Sequence, residues 1–389
     1  MRVLHVIPSL SPTSGGPSFA LPAMVRALDP HEVSIVAATT DDDGPGRRME
    51  GVRHGVQVSQ GNWNAIYFPK QTEFYKVSLP LSAWLRLHVR DFDVVHIHAL
   101  FSFASLAAGR AAAANGVPFI VRPLGVLNRW GMENRRRRVK ALSFRLLELP
   151  MLRRASAMHY TSRIELDDAT RFGLTCLQRV IPLGIDVAPF ASLPAPTVFA
   201  HDHPETSGTR NILFFSRLDV KKGLDMLIAA FALLHPKEAG LRLIICGDGD
   251  PPFVASLKQQ AVEAGVEESI TWAGQVVGDQ RFAAFATAQI FVLPSHSENF
   301  GIALLEAMAA GLPCISTDQV ALAADAASQG AVMIAEREPE ALAGAMRELI
   351  ESEPRSKALG QAARRLAQEQ YSLDAMGRGL HQLYQEVIE

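Results

Sequence analysis

Residues 291–311, FVLPSHSENFGIALLEAMAAG, place an apolar strand, a polar loop and a helix in succession. The apolar run 290–293 is typical of a buried strand. Residues 302–310 are predicted to form a helix that ends at Gly311, two residues before Pro313. The loop therefore leads into a helix N-terminus, where free backbone N–H groups and the positive end of the helix dipole form an anion site.

Two carboxylates bracket this turn. Glu298 lies in the loop, and Glu306 lies in the helix on the side that faces the loop. Carboxylates are poor phosphate ligands but good acceptors for vicinal hydroxyls. The pattern suits a sugar nucleotide, with Glu306 on the ribose diol and Glu298 on the transferred sugar. The amides of three residues would lie between them: Asn299, Phe300 and Gly301. The alternative is an ordinary strand–loop–helix with solvated glutamates.

A second basic segment follows the predicted strand 211–215. It reads SRLDVKKG over residues 216–223 and leads into another helix. Arg217 follows the strand end and Lys222 precedes the helix, so both cations can converge on a pyrophosphate. Arginine would offer a planar fork and lysine a point charge. The alternative is a solvated basic loop.

Length and composition limit the possible classes of protein. A chain of 389 residues predicts two domains, and a net charge of −2 argues against nucleic acid as the main partner. The three cysteines have no CxxC spacing, which indicates reduced core residues in a cytosolic protein. The first apolar run is cut by Pro8, too early for a signal peptide, and no run approaches the ~20 residues of a membrane span. We expect a cytoplasmic protein.

Strands and helices alternate along the chain, which predicts doubly wound parallel α/β domains. The expected divisions are an N-terminal domain at 1–188, a linker at 189–209, a C-terminal domain at 210–370 and a final helix at 371–389. The linker is placed by its proline, serine and histidine content. The predicted first helix starts at about Ser18, and Pro22 inside it predicts a kink or a later start.

Several residues of the first half occupy positions where α/β proteins bind ligands. Gly15 and Gly16 let the backbone approach a ligand closely, although the loop is not GxGxxG. His98 ends the predicted strand 93–98, and His96 shares its face; the alternative for both is a structural histidine. Arg122, at another strand end, is a candidate for binding a phosphate or an acidic acceptor.

Two charged clusters invite other interpretations. Asp41, Asp42 and Asp43 resemble a metal site, but a charged loop tip beside Gly44 and Pro45 predicts plain solvated loop, so no metal is expected. The basic run of residues 135–138 (Arg135, Arg136, Arg137 and Arg138) begins a predicted helix. It forms either a solvated face or a surface that docks on anionic lipid, worth ~1 kcal/mol per basic residue.

The loop–helix motif PSxxENFGxxxxEAMAxGxP, from Pro294 to Pro313, resembles the signature of the family 4 retaining glycosyltransferases of the GT-B fold. The segment RLxxxKG at 217–223 resembles a second element of that family. The resemblance implies two Rossmann-like domains facing a central cleft. It also implies retaining, metal-independent transfer of a sugar from a nucleoside-diphosphate sugar to a saccharide or lipid-linked saccharide, with no further cofactor.

The resemblance also implies residue roles. Arg217, Lys222, Glu298 and His98 would be catalytic, with His98 on the donor sugar. The amides of the glycine pair 15–16 would meet the diphosphate, and the backbone at Val276 would read the base. The final helix would pack on the N-terminal domain.

The chain departs from the family at two places. Leu183-Gly184 occupies the position where the family usually has Asn-Gly. The sequence TDQVAL, from Thr317, occupies the position where the family often has a glycine pair and Pro-Glu. A phosphorylase of similar fold would need a pyridoxal phosphate lysine and usually a much longer chain, and the sequence shows neither. The alternative that remains is a non-catalytic sugar-nucleotide-binding subunit that supports an active partner.

Overall fold

The structure is a computed structural model that describes residues 1–14, 16–127, 137–238, 240–298 and 300–389. The chain divides into two compact units. The N-terminal unit comprises Met1–Gly184 together with Leu373–Glu389, and the C-terminal unit comprises Ile185–Ser372.

Strands and helices alternate in both units, as the sequence predicts. The strands are β1 Arg2–Ser9, β2 Ser34–Thr40, β3 Gln57–Ser59, β4 Asn64–Phe68, β5 Val94–His98, β6 Phe119–Arg122, β7 Ala157–Tyr160, β8 Leu177–Val180, β9 Arg210–Phe215, β10 Leu241–Cys246, β11 Ile270–Gly274, β12 Ile290–Leu293, β13 Cys314–Ser316 and β14 Met333–Ile334. The helices are α1 Gly16–Leu28, α2 Leu79–His88, α3 Phe103–Asn115, α4 Arg137–Ser143, α5 Leu149–Leu152, α6 Arg163–Ala169, α7 Ala188–Ala191, α8 Pro196–Asp202, α9 Leu224–Leu234, α10 Pro251–Glu263, α11 Gly278–Thr287, α12 Ile302–Ala310, α13 Ala321–Ala327, α14 Pro339–Glu351, α15 Glu353–Gln370 and α16 Leu373–Ile388.

The sheet of the N-terminal unit has the order β3-β4-β2-β1-β5-β6-β7-β8. Its pairings are parallel except that of β3 with β4. Alternate residues of β1 enter opposite cores: Leu4 and Val6 pack in one, Val3 and Ile7 in the other. Burial on both faces explains why the parallel strands are continuously apolar. The strand order reverses between β1 and β5, the point where open α/β sheets bind ligands.

The sheet of the C-terminal unit has the order β11-β10-β9-β12-β13-β14 and is parallel throughout. Here the order reverses between β9 and β12. The predicted doubly wound α/β architecture is confirmed in both units. The carboxyl ends of β9 and β12 carry the two segments that the sequence singles out.

Helix α1 differs from its predicted form. It begins at Gly16 rather than about Ser18 and continues through Pro22, so the predicted later start is wrong. An interior proline removes one backbone hydrogen bond at a cost of about 3 kcal/mol. Burial of Met24, Val25 and Leu28 against α16 offsets that cost.

The segment predicted as the linker is instead part of the C-terminal unit. Residues 189–209 contain α8 and the end of α7, and Phe190 and Phe199 are buried. The Phe190 ring lies edge-on to Phe282 with the ring centroids 5.2 Å apart. The proline and serine content misled the prediction because prolines at the first turns of helices are tolerated, and two aromatic anchors suffice to hold the segment.

The acidic run is also not a solvated loop. Asp41 and Asp42 are buried, and Asp42 forms ion pairs with Lys70 and Lys76. Asp41 accepts a hydrogen bond from His54 and from the Lys70 amide. Hydrogen bonds from the two lysines outweigh burial and lower the pKa of the Asp42 carboxyl. The prediction of a solvated loop is therefore wrong, because residues distant in sequence supply partners for these buried carboxylates.

Among the described helices, none combines the length and the apolar character that a membrane span requires.

Candidate active site

The loops that follow β9 and β12 are in direct contact. The amide of His296 donates a hydrogen bond of 2.7 Å to the carbonyl of Lys221. Gly223 has φ +66°, and a Cβ at this position would lie 2.2 Å from the Pro294 carbonyl oxygen. Only glycine fits both the backbone conformation and the approach of the neighbouring loop. The two segments therefore form one structure at the switch point of the sheet.

Lys222 and Glu298 form an ion pair across these loops. Their side chains are 14% and 22% exposed. Burial is the main cause that lowers the pKa of Lys222 to about 8, and the Arg217 charge adds to it. The Asp219 carboxylate opposes this shift and also accepts a 3.0 Å hydrogen bond from the Lys221 amide, which caps the turn.

Arg217 lies near Lys222 on the same loop. It is exposed and follows the end of β9 by two residues. Its charge is close enough to disfavour a second cation at Lys222. With Lys221, the three cations of this loop outnumber the carboxylates of Asp219 and Glu298 by one, and the net positive charge suits an anion. The structure thus brings together three of the predicted residues.

The Glu298 loop is held by the segment after β13. The Glu298 amide donates to the Gln319 carbonyl over 3.0 Å, and the Leu322 amide donates to the Phe300 carbonyl over 3.3 Å. Gly301 precedes α12 with φ +101°. The segment where the sequence departs from the family pattern therefore supports the loop through its backbone, which many sequences can do. Asn299 lies outside the described residues.

Glu306 is buried in α12 and forms an ion pair with Arg281 of α11. Arg281 was not among the residues predicted from the sequence. The two residues are separated by 25 positions and lie on different helices, so no spacing signals the contact. Because burying a carboxylate alone is costly, the ion pair with Arg281 compensates for the burial of Glu306, which is 5% exposed.

Two other predicted donor-binding residues have different surroundings. The Phe300 side chain is buried and packs on Tyr371, with ring centroids 6.2 Å apart. The Phe300 side chain thus packs in the core, and a ligand contact of this residue would come from its backbone amide. Val276 lies half-buried in the loop between β11 and α11. Its predicted contact with the base stays a prediction.

In the N-terminal unit, His98 and Arg122 are paired neighbours at the carboxyl ends of β5 and β6. Their exposures are 1% and 2%. Three non-glycine residues just beyond these strand ends have positive φ: Ala99 (68°), Phe101 (56°) and Leu124 (59°). Such residues cost of order 1–3 kcal/mol each and cluster at functional sites. The carboxyl edge at β5 and β6 is thus a strained region beside the switch point.

Arg122 is a buried cation. Within the described ranges its Nε has no hydrogen-bond partner, and its Nη1 lies 3.6 Å from the Met24 sulfur. Burial lowers the pKa of Arg122 to about 10, with the Glu165 charge opposing it. A guanidinium this poorly paired is suited to receive an anionic group.

Several other predicted residues lie at the ends of the described ranges or outside them. Gly16 is the first residue of α1, whereas Gly15 lies outside the described residues. Arg135 and Arg136 also lie outside them, and Arg137 and Arg138 begin α4. The roles predicted for these residues stay predictions.

Two Rossmann-like α/β units, with a cationic and acidic cluster at the switch point of the second, agree with the GT-B fold. The family model described as "Glycosyl transferases group 1" matches residues 199–366. The model described as "Glycosyl transferase 4-like domain" matches residues 15–184. The chain belongs to this glycosyltransferase family.

Individual relatives agree with that assignment. The chain is 28% identical over 162 residues to an alpha-monoglucosyldiacylglycerol synthase of Streptococcus pneumoniae, covering 40% of this chain and 36% of that one. It therefore spans little more than a third of that relative. It is 27% identical over 328 residues to a GDP-mannose:cellobiosyl-diphosphopolyprenol alpha-mannosyltransferase of Xanthomonas oryzae, covering 82% of this chain and 79% of that one.

A solved structure shares the fold. The Anabaena protein HepE, in complex with UDP, superposes with a TM-score of 0.77 at 17% identity, covering 99% of this chain and 100% of that one.

Proposed function

We propose that this chain is a retaining, metal-independent glycosyltransferase that moves a sugar from a nucleoside-diphosphate sugar to a saccharide or lipid-linked saccharide. The observation that carries the proposal is the contact of Lys222 with Glu298 at the switch point of the C-terminal unit. A buried cation is held there beside a second cation, Arg217, and ahead of the α12 N-terminus. Each of these features favours a diphosphate.

The donor would exchange partners with the protein. In the absence of donor, Glu298 neutralises Lys222. A bound diphosphate takes over this role, which frees the Glu298 carboxylate to accept hydrogen bonds from the sugar hydroxyls. Glu306, held by Arg281, accepts from the ribose diol.

Arg217 and Lys222 then stabilise the charge that grows on the departing diphosphate. Fixed charges aimed at a developing anion need no reorganisation, and one such group contributes about 10²–10³ in kcat.

Retention is what the resemblance to the family 4 enzymes implies, and we infer front-face attack rather than a covalent glycosyl intermediate because neither described carboxylate of the C-terminal cluster is placed as a nucleophile. Glu298 and Glu306 are both held by cations. The acceptor hydroxyl would attack from the face that the diphosphate leaves, and a diphosphate oxygen would take its proton. The anomeric signal of the isolated product in proton NMR tests this: the donor's anomeric configuration supports retention, and the opposite one contradicts it.

A lipid-linked acceptor is the second part of the proposal. One relative is named for a diphosphopolyprenol-linked acceptor, and another is named as the synthase of a glucosyldiacylglycerol. In this chain, Leu142 and Leu146, which follow the arginine run, are 61% and 62% exposed. Exposed leucines next to basic residues suit the surface of an anionic membrane. Sedimentation with anionic and neutral vesicles tests this. The parent protein should sediment with the anionic vesicles and not with the neutral ones. A variant with Leu142→Glu and Leu146→Glu should no longer sediment with the anionic vesicles.

A donor panel tests the whole assignment. The full chain is melted with UDP-, GDP- and ADP-sugars, with and without a chelator, because a ligand stabilises the state that it binds. The stabilising donor is then incubated with the protein, and release of nucleoside diphosphate is measured. Release in the presence of chelator supports a metal-independent enzyme. Stabilisation without any release favours the alternative, a non-catalytic sugar-nucleotide-binding subunit.

A further inference from the structure

One face of the N-terminal sheet carries a buried line of ring side chains. His5 of β1 lies opposite His96 of β5, and His98 follows two residues later on the same face. We call the connected set the histidine chain, and its members are His98, His5, Tyr384, His96 and His159. All five are almost fully buried. The family resemblance implies a role for His98, whereas the other four members of the histidine chain have no role in the proposed function.

The hydrogen bonds of the histidine chain have only one possible direction. His159 Nε2 lies 2.9 Å from the Ile181 carbonyl, which can only accept, so Nε2 carries the proton. In a neutral imidazole the other nitrogen then has a lone pair. His159 Nδ1, 3.2 Å from His96 Nε2, is therefore an acceptor and His96 Nε2 is the donor.

The direction of the hydrogen bonds continues through Tyr384 to His98. His96 Nδ1 accepts from the Tyr384 hydroxyl over 2.9 Å. The hydroxyl has a single proton, so its oxygen accepts from His5 Nε2 over 3.3 Å. His5 Nδ1 then accepts from His98 Nε2 over 2.8 Å. With Nε2 of His98 protonated, its Nδ1 is left with a lone pair and no proton.

Every imidazole of the histidine chain is held in its neutral form by its surroundings. Burial is the main cause that lowers the pKa of His5 and His159 to about 3. Burial likewise holds the pKa values of His96 and His98 well below the usual range. The buried guanidinium of Arg122 repels a second positive charge in all four rings.

A metal ion explains these contacts less well. Nitrogen atoms of His5, His96 and His98 lie within 4.8 Å of one another. However, two ligands of a tetrahedral zinc, at about 2.0–2.1 Å from the ion, are about 3.4 Å apart. The 2.8 Å between His5 Nδ1 and His98 Nε2 is a hydrogen-bond distance instead. The Arg122 charge also disfavours a cation.

We propose that the histidine chain fixes the tautomer of His98, so that its Nδ1 meets the donor sugar as a hydrogen-bond acceptor. His5 and Tyr384 are thus positioning residues. The donor contact rests on the proposed function and on the role that the family resemblance implies for His98, which is a contact with the donor sugar. An unprotonated Nδ1 of His98 favours a sugar with a hydroxyl at this position, because the hydroxyl can donate a hydrogen bond. A carboxylate at the same position would be repelled, since its oxygen and Nδ1 are both acceptors.

The tautomer is measured first, without any donor. The full chain is labelled with ¹⁵N-histidine, and long-range ¹⁵N–¹H correlation distinguishes protonated from unprotonated ring nitrogens. His98→Gln identifies the His98 signals by their loss. A protonated Nε2 with an unprotonated Nδ1 is expected. A protonated Nδ1, or a ring protonated at both nitrogens at neutral pH, would overturn the inference.

Variants test whether the histidine chain sets the tautomer of His98. Tyr384→Phe keeps the aromatic ring but removes the hydroxyl that connects His96 to His5. His98 protonated at Nδ1 should then appear. His5→Asn places an amide oxygen near the position of Nδ1 and should preserve the tautomer, whereas His5→Phe should not. If all three folded variants leave His98 as in the parent, the positioning role is wrong. Should Tyr384→Phe not fold, the His5 pair gives the same decision.

Kinetics separate this inference from the proposed function. His5→Phe should lower kcat/KM for the donor about tenfold, and His5→Asn should restore most of it. If the tautomer is as expected but His98→Gln leaves donor kinetics unchanged, the donor contact fails while the tautomer assignment stands. Addition of zinc or chelator should change neither the spectrum nor the melting temperature. A zinc-dependent shift of the His5 and His98 signals would overturn the inference in favour of a metal site.

Discussion

Lys222 and Glu298 form an ion pair that joins the loops after β9 and β12. Neither strand places these residues together by itself, because 76 positions separate them. The strands are neighbours at the point where the sheet order reverses, so their carboxyl-end loops meet there. The pair thus lies where a doubly wound sheet binds its ligand, with one partner suited to phosphate and the other to hydroxyls.

Removing the Lys222 charge should abolish most of the catalysis. Lys222→Met is expected to lower kcat about 10²–10³-fold, because one fixed charge on the leaving group is lost. Lys221→Met is the matched control, since Lys221 is adjacent and exposed. Steady-state transfer assays should show the control within about threefold of the parent. Equal losses in both variants would contradict a specific role for Lys222.

The affinity for nucleoside diphosphate should depend on pH through Lys222. In the donor-free protein the pKa of Lys222 is lowered to about 8, so the ammonium is lost as the pH rises through 8. Binding to a diphosphate requires the charged form, so Kd should rise by up to tenfold per pH unit above this value.

Isothermal titration between pH 6.5 and 9.5 measures this dependence. Lys222→Arg provides the control, because a guanidinium stays charged over this range. The break near pH 8 should disappear in that variant. A parent protein with pH-independent affinity would show that the lysine charge does not take part in binding.

Breaking the Arg281–Glu306 pair should destabilise the C-terminal unit. Arg281→Met leaves a nearly buried carboxylate without its cation, which we expect to lower the free energy of unfolding by about 1–3 kcal/mol. The pair of Arg355 with Glu348 is the control, since its side chains are 60% and 43% exposed. Arg355→Met should change stability by less than about 0.5 kcal/mol in urea unfolding. Similar values for the two variants would argue that Glu306 does not depend on Arg281.

A matched pair of glycine substitutions tests the contact between the loops. Gly223 and Gly208 both have positive φ, but a Cβ at Gly208 would meet no atom within 4 Å. Gly208→Ala should cost only the backbone strain, about 1–2 kcal/mol. Gly223→Ala also forces the added methyl against the Pro294 carbonyl, so it should cost at least about 3 kcal/mol and reduce activity. Equal effects would mean that the loops do not meet as described.

The local part of the site could be predicted from the sequence. Glu298 and Glu306 are joined by one continuous loop and helix, so their spacing alone places them around a helix N-terminus. Arg217 and Lys222 follow from the same logic at β9. In each case, a strand end and a helix start within ten residues constrain the geometry.

The rest depends on contacts between distant segments. Arg281 gives no signal because its partner lies on another helix. The histidine chain requires the register of His5 against His96 and a tyrosine from the last helix, which no local pattern specifies. The linker prediction was wrong for a related reason. It relied on the proline and serine content of the segment, whereas the structure of the segment depends on the burial of Phe190 and Phe199 among residues distant in sequence.

The central claim is that the side chains of one cluster in the C-terminal unit hold one nucleoside diphosphate. A crystal structure of the full chain with the diphosphate of its preferred donor measures this directly. We predict phosphate oxygens within about 3.2 Å of Arg217 and Lys222, and ribose hydroxyls at the same distance from Glu306. A nucleotide bound elsewhere, with these side chains and Glu298 in contact with solvent only, would contradict the account.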